Sequence, residues 1–412
     1  MSRPVILITT GRNVYSLRAY DAILAACVRL DLQFDVAHVD KERLTAKPVQ
    51  TLLRHPLCVK KHVVKSNLIQ EYRALSGFAA ERDIRPELAK MYERIIPKLL
   101  KDNAEFVKAL DEAPWVFTGH GIFSKPFIDQ KSPKLIQYNQ LSLLQHPAAN
   151  LGSTKHKANY LMVDRGGMLG ESPLATNPSK LPELLRRHHV VHGDEAIKRA
   201  NKVILDVIGN RYTEHASTEK APGVQDWYNT VFVPLHCAWD AQMLRYSPFF
   251  GRNQEFLQFI IDHTDDNTKI LVKPHPKGTN GLKGKVDPVV KAFENHPKVT
   301  FTSANVHDIF RKVGGVITLN SSVGLEAVLH HLPVVVLGKA FYGHITGATF
   351  SARDIEHAKE LVRTGWKAPT DKHMAKLAID FFWNHYLVPV TPAAAFNKRV
   401  YSLVAARMKE VT

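Results

Sequence analysis

Residues 314–338 read GGVITLNSSVGLEAVLHHLPVVVLG. A β-rich apolar run, Gly315–Leu319, ends in the polar turn Asn320-Ser321-Ser322. Apolar residues then recur at helical spacing over Gly324–His331, and Pro333–Leu337 is a second apolar run. Strand, turn, helix and strand, with the strands apolar nearly throughout, is the pattern of a parallel sheet covered on both faces. The same unit repeats upstream. Val231–Leu235 predicts a strand, 252–263 a helix, Ile270–Val272 a strand ending in the turn Lys273-Pro274-His275-Pro276, and 287–295 a helix. Val299–Thr302 and Val306–Lys312 then supply another strand and helix. Alternation of this kind specifies a Rossmann-like α/β domain.

The N-terminal half opens in the same way. Pro4–Thr10 is a β-rich run ending at Gly11, Leu17–Leu30 has helical spacing, and Gln33–Val39 reads as a second strand. Gly11 lies where doubly wound sheets bind ligands, although one glycine also suits an ordinary turn. Residues 41–67 carry many Lys and Arg and read as a solvated loop and helix face, or as a contact for an anionic acceptor or membrane. Helices are expected over 68–81 and 86–111, and strands at Trp115–Thr118, Lys134–Tyr138 and Tyr160–Val163. Asp164-Arg165-Gly166-Gly167 reads as a tight turn after the last of these. Residues 175–228 are polar and helical. The expected organisation is therefore an N-terminal acceptor-binding domain (1–228), a C-terminal donor-binding domain (229–390) and a final helix within 391–412 that crosses back. Two Rossmann-like domains facing an interdomain cleft are the GT-B plan, an α/β architecture that by itself does not argue catalysis.

The chain has 412 residues, 45% of them apolar and 23% charged, which excludes wholesale disorder. Three cysteines, Cys27, Cys58 and Cys237, cannot all pair and suit a reducing compartment. The opening apolar run is too short for a signal-peptide core, and no run reaches membrane-spanning length, so a cytoplasmic location is expected. The formal charge is +16, which calls for anionic partners. No nucleic-acid-binding module or aromatic–basic interleaving accompanies it, so nucleic acid is not expected.

Four constellations carry chemistry. Asn320-Ser321-Ser322-Val323-Gly324-Leu325-Glu326 opens a helix after a strand, where backbone N–H groups and two hydroxyls could meet a phosphate; Ser322 could equally be a helix cap. Lys273 and His275 sit at a strand end, in a turn stiffened by Pro274 and Pro276. His236, Asp240 and Gln242 lie on and just beyond the loop after the first strand of the second domain. A carboxylate there can serve as nucleophile, base or loop cap. Asp164, before Arg165 and Gly166, is a general base for an acceptor or an Asx-turn residue. His188-His189 and His330-His331 read as helix-face or loop residues. No Cys/His set with ligand spacing is recognised, so no metal is expected. Neither a G-x-G-x-x-G nor a P-loop motif occurs.

In order, these motifs resemble the bacterial capsule-synthesis family of Kdo transferases, the KpsC/KpsS type. The resemblance runs over about 231–350. It is carried by His236–Asp240, by Leu271–Pro276, by Thr318–Val328 and by Gly338–Thr349, which contains Tyr342. His236 stands where that family has glutamine, and Asp164-Arg165-Gly166 only loosely matches its acidic turn. The resemblance implies a retaining β-Kdo glycosyltransferase of GT-B fold that uses CMP-β-Kdo. It implies Asp240 as nucleophile, and His275, Ser321 and Ser322 as ligands of the CMP moiety. Lys273, Pro276, Asn320, Gly324, Glu326 and Tyr342 complete the expected donor site. No cofactor or metal is implied. The acceptor would be an anionic glycan or lipid-linked precursor of capsule or lipopolysaccharide, met at the cytoplasmic face of the inner membrane. The alternative is another CMP- or CDP-dependent GT-B enzyme, a sialyltransferase or a polyol-phosphate transferase.

Overall fold

The computed structural model describes residues 3–8, 14–38, 44–79, 81–113, 115–119, 135–141, 160–165, 180–209, 211, 217, 219–223, 226–238, 241–275, 287–389, 398, 401–402 and 405. The first part of the chain runs β1 (Val5–Ile8), α1 (Val14–Arg29), β2 (Phe34–His38), α2 (Lys47–Arg54), β3 (Cys58–Val63), α3 (Leu68–Ser76), α4 (Arg85–Asp102) and α5 (Ala104–Glu112). β4 (Val116–Gly119), β5 (Leu135–Leu141), β6 (Tyr160–Arg165) and the long α6 (Leu181–Gly209) follow. The second part runs β7 (Thr230–Pro234), α7 (Ala241–Tyr246), α8 (Asn253–His263), β8 (Lys269–Lys273), α9 (Pro288–Phe293), β9 (Val299–Phe301), α10 (Val306–Ile309) and β10 (Gly315–Thr318). It closes with α11 (Val323–Leu329), β11 (Val334–Val336), β12 (Thr349–Ser351), α12 (Ile355–Thr364), α13 (Lys372–Asp380), a π-helical turn Phe381–Tyr386 and β13 (Leu387–Pro389).

Two sheets result, in the orders β13-β6-β5-β4-β1-β2-β3 and β12-β11-β10-β7-β8-β9. Every pairing in the second sheet is parallel. Its strands alternate faces as the period of two requires. Phe232, Leu271, Val316, Val334 and Val336 pack on α6, α10, α11 and α13. Val231, Val233, Ile270, Val272, Ile317 and Val335 pack on α8, α9 and α12. The first sheet is doubly wound in the same way, with Ile6, Ile8, Phe34, Val36 and Phe117 under α1 and α2, and Val5, Leu7 and Val116 under α3–α5.

Several expectations need correcting. β3 was read as part of a solvated stretch; its sequence CVKKHV buries only His62, so the lysines mask an edge strand. The helix expected over 86–111 is two helices. Asn103 breaks it, because its buried amide accepts from Lys65 N at 2.8 Å and donates to Leu99 O at 2.7 Å. β6 continues through Arg165, so Asp164 and Arg165 are strand residues rather than the start of a turn. β6 runs antiparallel to β5, with Asp164 opposite Gln137. Gln137 is level with Thr118, one residue inside the last residue of β4. Gly11 and Gly166 lie outside the described residues.

The strands of the two sheets divide between β6 and β7, but two segments cross that divide. Leu181, Leu185, Ala200 and Val207 of α6 belong to the core of the second sheet. The chain then returns to the first sheet through β13, which pairs antiparallel with β6. Of the expected final helix, Tyr401 is described and packs beneath the Arg29 guanidinium at 4.3 Å. The return is anchored by buried Asp380, which accepts from Arg199 Nε at 2.8 Å and Nη2 at 2.7 Å and from Asn384 Nδ2 at 2.7 Å. Among the described residues, no helix is long and apolar enough to cross a membrane.

Candidate functional site

The order of the second sheet locates its ligand edge. β7 has β8 and β9 on one side and β10, β11 and β12 on the other. The chain therefore reverses its direction of travel between β7 and β10. Loops leaving the carboxyl ends of strands on either side of such a switch point enclose a crevice. The three second-domain motifs singled out in the sequence leave β7, β10 and β8, the three adjacent strands at that edge.

The loop after β7 is held from both sides. Leu235 N donates to Lys273 O at 3.0 Å. Asn253, at the start of α8, brackets the His236 peptide: its Nδ2 donates to His236 O at 2.7 Å and its Oδ1 accepts from His236 N at 3.4 Å. Burial pushes the His236 imidazole down to about 4, so it is neutral at pH 7. Cys237 Sγ lies 3.0 Å from His275 Nδ1, which ties the β7 loop to the β8 loop. Asp240 and Pro276 lie outside the described residues. Position 240 directly precedes α7, and Gln242 falls in its first turn.

Lys273 was expected to face a phosphate, but it points inward. Its Nζ donates to Ser303 O at 2.9 Å and to Ala304 O at 2.5 Å. Burial lowers its pKa, against the opposing pull of Glu326 and Glu219. Glu326 is fully buried, with Oε2 3.9 Å from His307 Nε2. His307 Nδ1 in turn lies 2.8 Å from His330 Nε2, and burial, ahead of the His307 charge, holds His330 down to about 3. Tyr342 is also fully buried and donates to Ser321 O. Burial raises its pKa far above the phenol range. Lys273, Glu326 and Tyr342 thus brace the site from beneath rather than lining it.

The turn after β10 departs from expectation in a second respect. Five of its amides already have partners within the turn. Ser321 N donates to Thr318 Oγ1 at 3.2 Å and Val323 N to Ser321 Oγ at 3.3 Å. Gly324 N donates to Ser321 O, and Leu325 N and Glu326 N to Ser322 O. Ser322 occupies the N-cap position of α11, but its side chain makes no capping bond. The turn therefore offers a ligand the Ser322 hydroxyl, beside the half-buried Asn320 and His275, rather than the full row of helix-start amides. Gly324 is required here by close approach, since a Cβ would overlap the Tyr342 hydroxyl and come within 2.8 Å of its Cζ.

The same edge abuts the first domain. Ala238 and Leu244 pack into the cluster formed by α3, α4 and α5. Arg85 Nη1 donates to Ser247 O at 2.7 Å and Arg252 Nη1 to Glu81 O at 3.0 Å. Burial acts to raise the Asp83 carboxyl, but the hydrogen bonds and charge of Arg85 win and hold it low. Away from this edge, α2 presents a shallow hollow lined by Lys47, Gln50, Thr51, Arg54, His55 and Pro56. Sequence reasoning missed Asn253, whose loop-bracing role has no local motif. It also missed the i, i+4 pair His188 and His192, whose spacing alone signals one helix face.

Residues 151–382 match the sequence family described as capsule polysaccharide biosynthesis protein. Protein FixF of Sinorhizobium fredii is 27% identical over 195 residues, 46% of each chain. The capsule polysaccharide modification protein LipB of Neisseria meningitidis serogroup B is 28% identical over 178 residues, 41% of this chain and 42% of that one. The matched region thus spans less than half the length of these curated relatives. Among solved structures, KpsC, beta Kdo 2,7 transferase, of Thermosulfurimonas dismutans is similar with a TM-score of 0.50 and 14% identity, covering 98% of this chain and 100% of that one. At that identity the likeness is one of fold. With the two doubly wound sheets, it places this chain in the GT-B architecture expected from the sequence.

Proposed function

The chain belongs to the capsule polysaccharide biosynthesis protein family, and from that premise we propose that it is a glycosyltransferase moving Kdo from CMP-β-Kdo to a glycan or glycolipid acceptor with retention. What supports this reading is that the loop leading to position 240, His275 and Ser321-Ser322 follow the carboxyl ends of three adjacent strands, β7, β8 and β10, at one switch point.

The chemistry balances in two displacements. The Asp240 carboxylate attacks the anomeric carbon, and the bond from that carbon to the phosphate oxygen breaks. CMP leaves as a phosphate monoester, with its charge met by His275 and the Ser321, Ser322 and Asn320 side chains. An acceptor hydroxyl then attacks the same carbon from the vacated face and expels Asp240. Two inversions give net retention. Asp164, on β6 near the carboxyl edge of the first sheet, is the base this reading assigns to the acceptor proton. Gly11, Arg165, Gly166, His236 and Gln242 are the further positions this reading assigns to the cleft. No step asks for a divalent ion. The exposed Lys47, Arg54, Lys61 and Lys65 around α2 and β3 suit an anionic acceptor or the surface of an anionic membrane.

The test is the intact mass of the protein after brief incubation with CMP-Kdo and no acceptor, beside Asp240→Ala. The expected result is a gain of one Kdo that the variant lacks. If the protein shows no mass gain and no CMP release with any acceptor, the donor assignment is overturned, and turnover of CMP-sialic acid or CDP-glycerol would replace it.

A further inference from the structure

The C-terminal return of the chain carries a second cluster. α6 is interrupted at Gly193, where φ is 48°. His188 and His192 lie one turn apart just before that break, so they share a face. His385, in the π-helical turn ahead of β13, packs against both. The three ring centroids form a near-equilateral triangle, with 4.6 Å between His188 and His192, 4.5 Å between His188 and His385, and 4.6 Å between His192 and His385. One ring nitrogen from each lies within 4.8 Å of the other two.

We propose that His188, His192 and His385 form a binding site for a divalent transition metal ion, zinc by preference, with Asp380 orienting the first ligand. His188 Nε2 is 2.7 Å from the buried Asp380 carboxylate, which leaves Nδ1 as its ligand atom. A carboxylate behind a ligating imidazole fixes its tautomer and raises its basicity. Three imidazoles with a fourth position open to water match the preferred ligands of Zn²⁺, at about 2.0–2.1 Å from each nitrogen. The ring nitrogens, up to 4.8 Å apart, would draw together on such an ion by side-chain rotation of the half-exposed His192 and His385. Arg199 is paired with Asp380 through two hydrogen bonds, which offsets part of its charge beside the site. The ion would clip α6 to the segment that leaves the second sheet for the first. It would thus act on the junction between the domains, away from the strand ends of the candidate active site.

The experiment uses the whole chain without an affinity tag, freed of metal by chelator dialysis. It is titrated with Zn²⁺ by calorimetry and with Co²⁺ by visible absorption. One Zn²⁺ per chain, a tetrahedral Co²⁺ band and a rise in Tm with Zn²⁺ are expected. His192→Gln and His385→Gln should each weaken binding at least tenfold, and Asp380→Asn by about 10–100-fold. His189→Gln should leave binding unchanged, although His189 meets His373 edge-to-face nearby at 5.4 Å. Because His192 and His385 are half-exposed, their variants should fold, which circular dichroism checks. Absence of stoichiometric binding by the wild-type chain would overturn the proposal. So would binding that survives His192→Gln/His385→Gln, or that is lost in His189→Gln.

Discussion

Replacing Gly324 with alanine tests whether the turn after β10 is braced from beneath as described. The added Cβ would overlap the Tyr342 hydroxyl and lie 2.8 Å from Cζ and 3.0 Å from Cε2. Tyr342 cannot retreat, because it is fully buried and stands edge-on to Phe341 with ring centroids 5.3 Å apart. Overpacking of this kind costs about 1–3 kcal/mol. Displacing the phenol from Ser321 O adds about 1 kcal/mol. Alanine's better helix propensity returns up to about 1 kcal/mol. The net expectation is about 1–3 kcal/mol of lost stability.

Tyr342→Phe isolates the cause. Alone it forfeits the hydrogen bond to Ser321 O and costs about 1–2 kcal/mol. In the Gly324→Ala background it removes the atom that clashes most and whose bond is already lost. The double variant should therefore be more stable than the sum of the two by at least about 1 kcal/mol. Urea unfolding of all four proteins gives the coupling, and CMP release from the donor reports whether the Ser321-Ser322 turn is still in place. A neutral Gly324→Ala, or a strictly additive cycle, would refute the bracing role of Tyr342.

Asn253→Ala should cost about 2 kcal/mol by leaving the His236 peptide groups unpaired in a buried site, and it should lower kcat more than it lowers stability at 25 °C; chemical denaturation and turnover separate the two. His236 gives a pH signature. Its folded pKa is depressed from 6.5 to about 4, so the unfolded chain binds the proton first and stability falls as pH drops from 6.5 toward 4, by about 3 kcal/mol. His236→Gln should reduce that slope by about one proton's share in urea titrations between pH 7 and 4, the rest coming from other depressed histidines such as His330, and an unchanged slope would refute the assignment. Cys237→Ala should reduce kcat about tenfold by releasing His275 Nδ1, with little change in Tm, which turnover and calorimetry would check together.

The strand-end motifs were legible because each sits where an apolar run stops, and in parallel sheets that point is the ligand edge. The resemblance then ordered them. What the residues face was not legible. Lys273 and Tyr342 could donate to a phosphate and Glu326 could accept from a sugar hydroxyl, yet all three turn inward, because orientation depends on what the neighbouring loops leave unsatisfied. Lys273 answers two carbonyls from a loop thirty residues on. β3 was hidden because Lys61 stands on its exposed face and Lys60 is half-buried on the other. β13 was hidden because three residues in an edge position carry almost no periodicity. His188 and His192 announced a helix face, but His385 joins them only through the π-helical turn.

These orientations separate two roles that net charge alone would merge. The +16 of the chain suggests a cationic active site. Yet among the described residues of that edge, Lys273 has its ammonium bonded to backbone, and the half-buried Asn320, Ser322 and His275 carry no fixed cation. The exposed cations Lys47, Arg54, Lys61 and Lys65 instead lie around α2 and β3, in the first domain. Exposed charges are screened beyond about 10 Å at 0.1 M salt, whereas hydroxyl and imidazole contacts to a phosphate in an enclosed crevice are screened far less. Raising NaCl from 50 to 300 mM should therefore raise KM for an anionic acceptor several-fold and leave KM for the CMP-sugar nearly constant. Lys61→Gln together with Lys65→Gln should blunt the acceptor's salt response and leave the donor's alone. A donor KM that climbs with salt as steeply as the acceptor's would mean that Lys273 leaves its carbonyls to meet the phosphate.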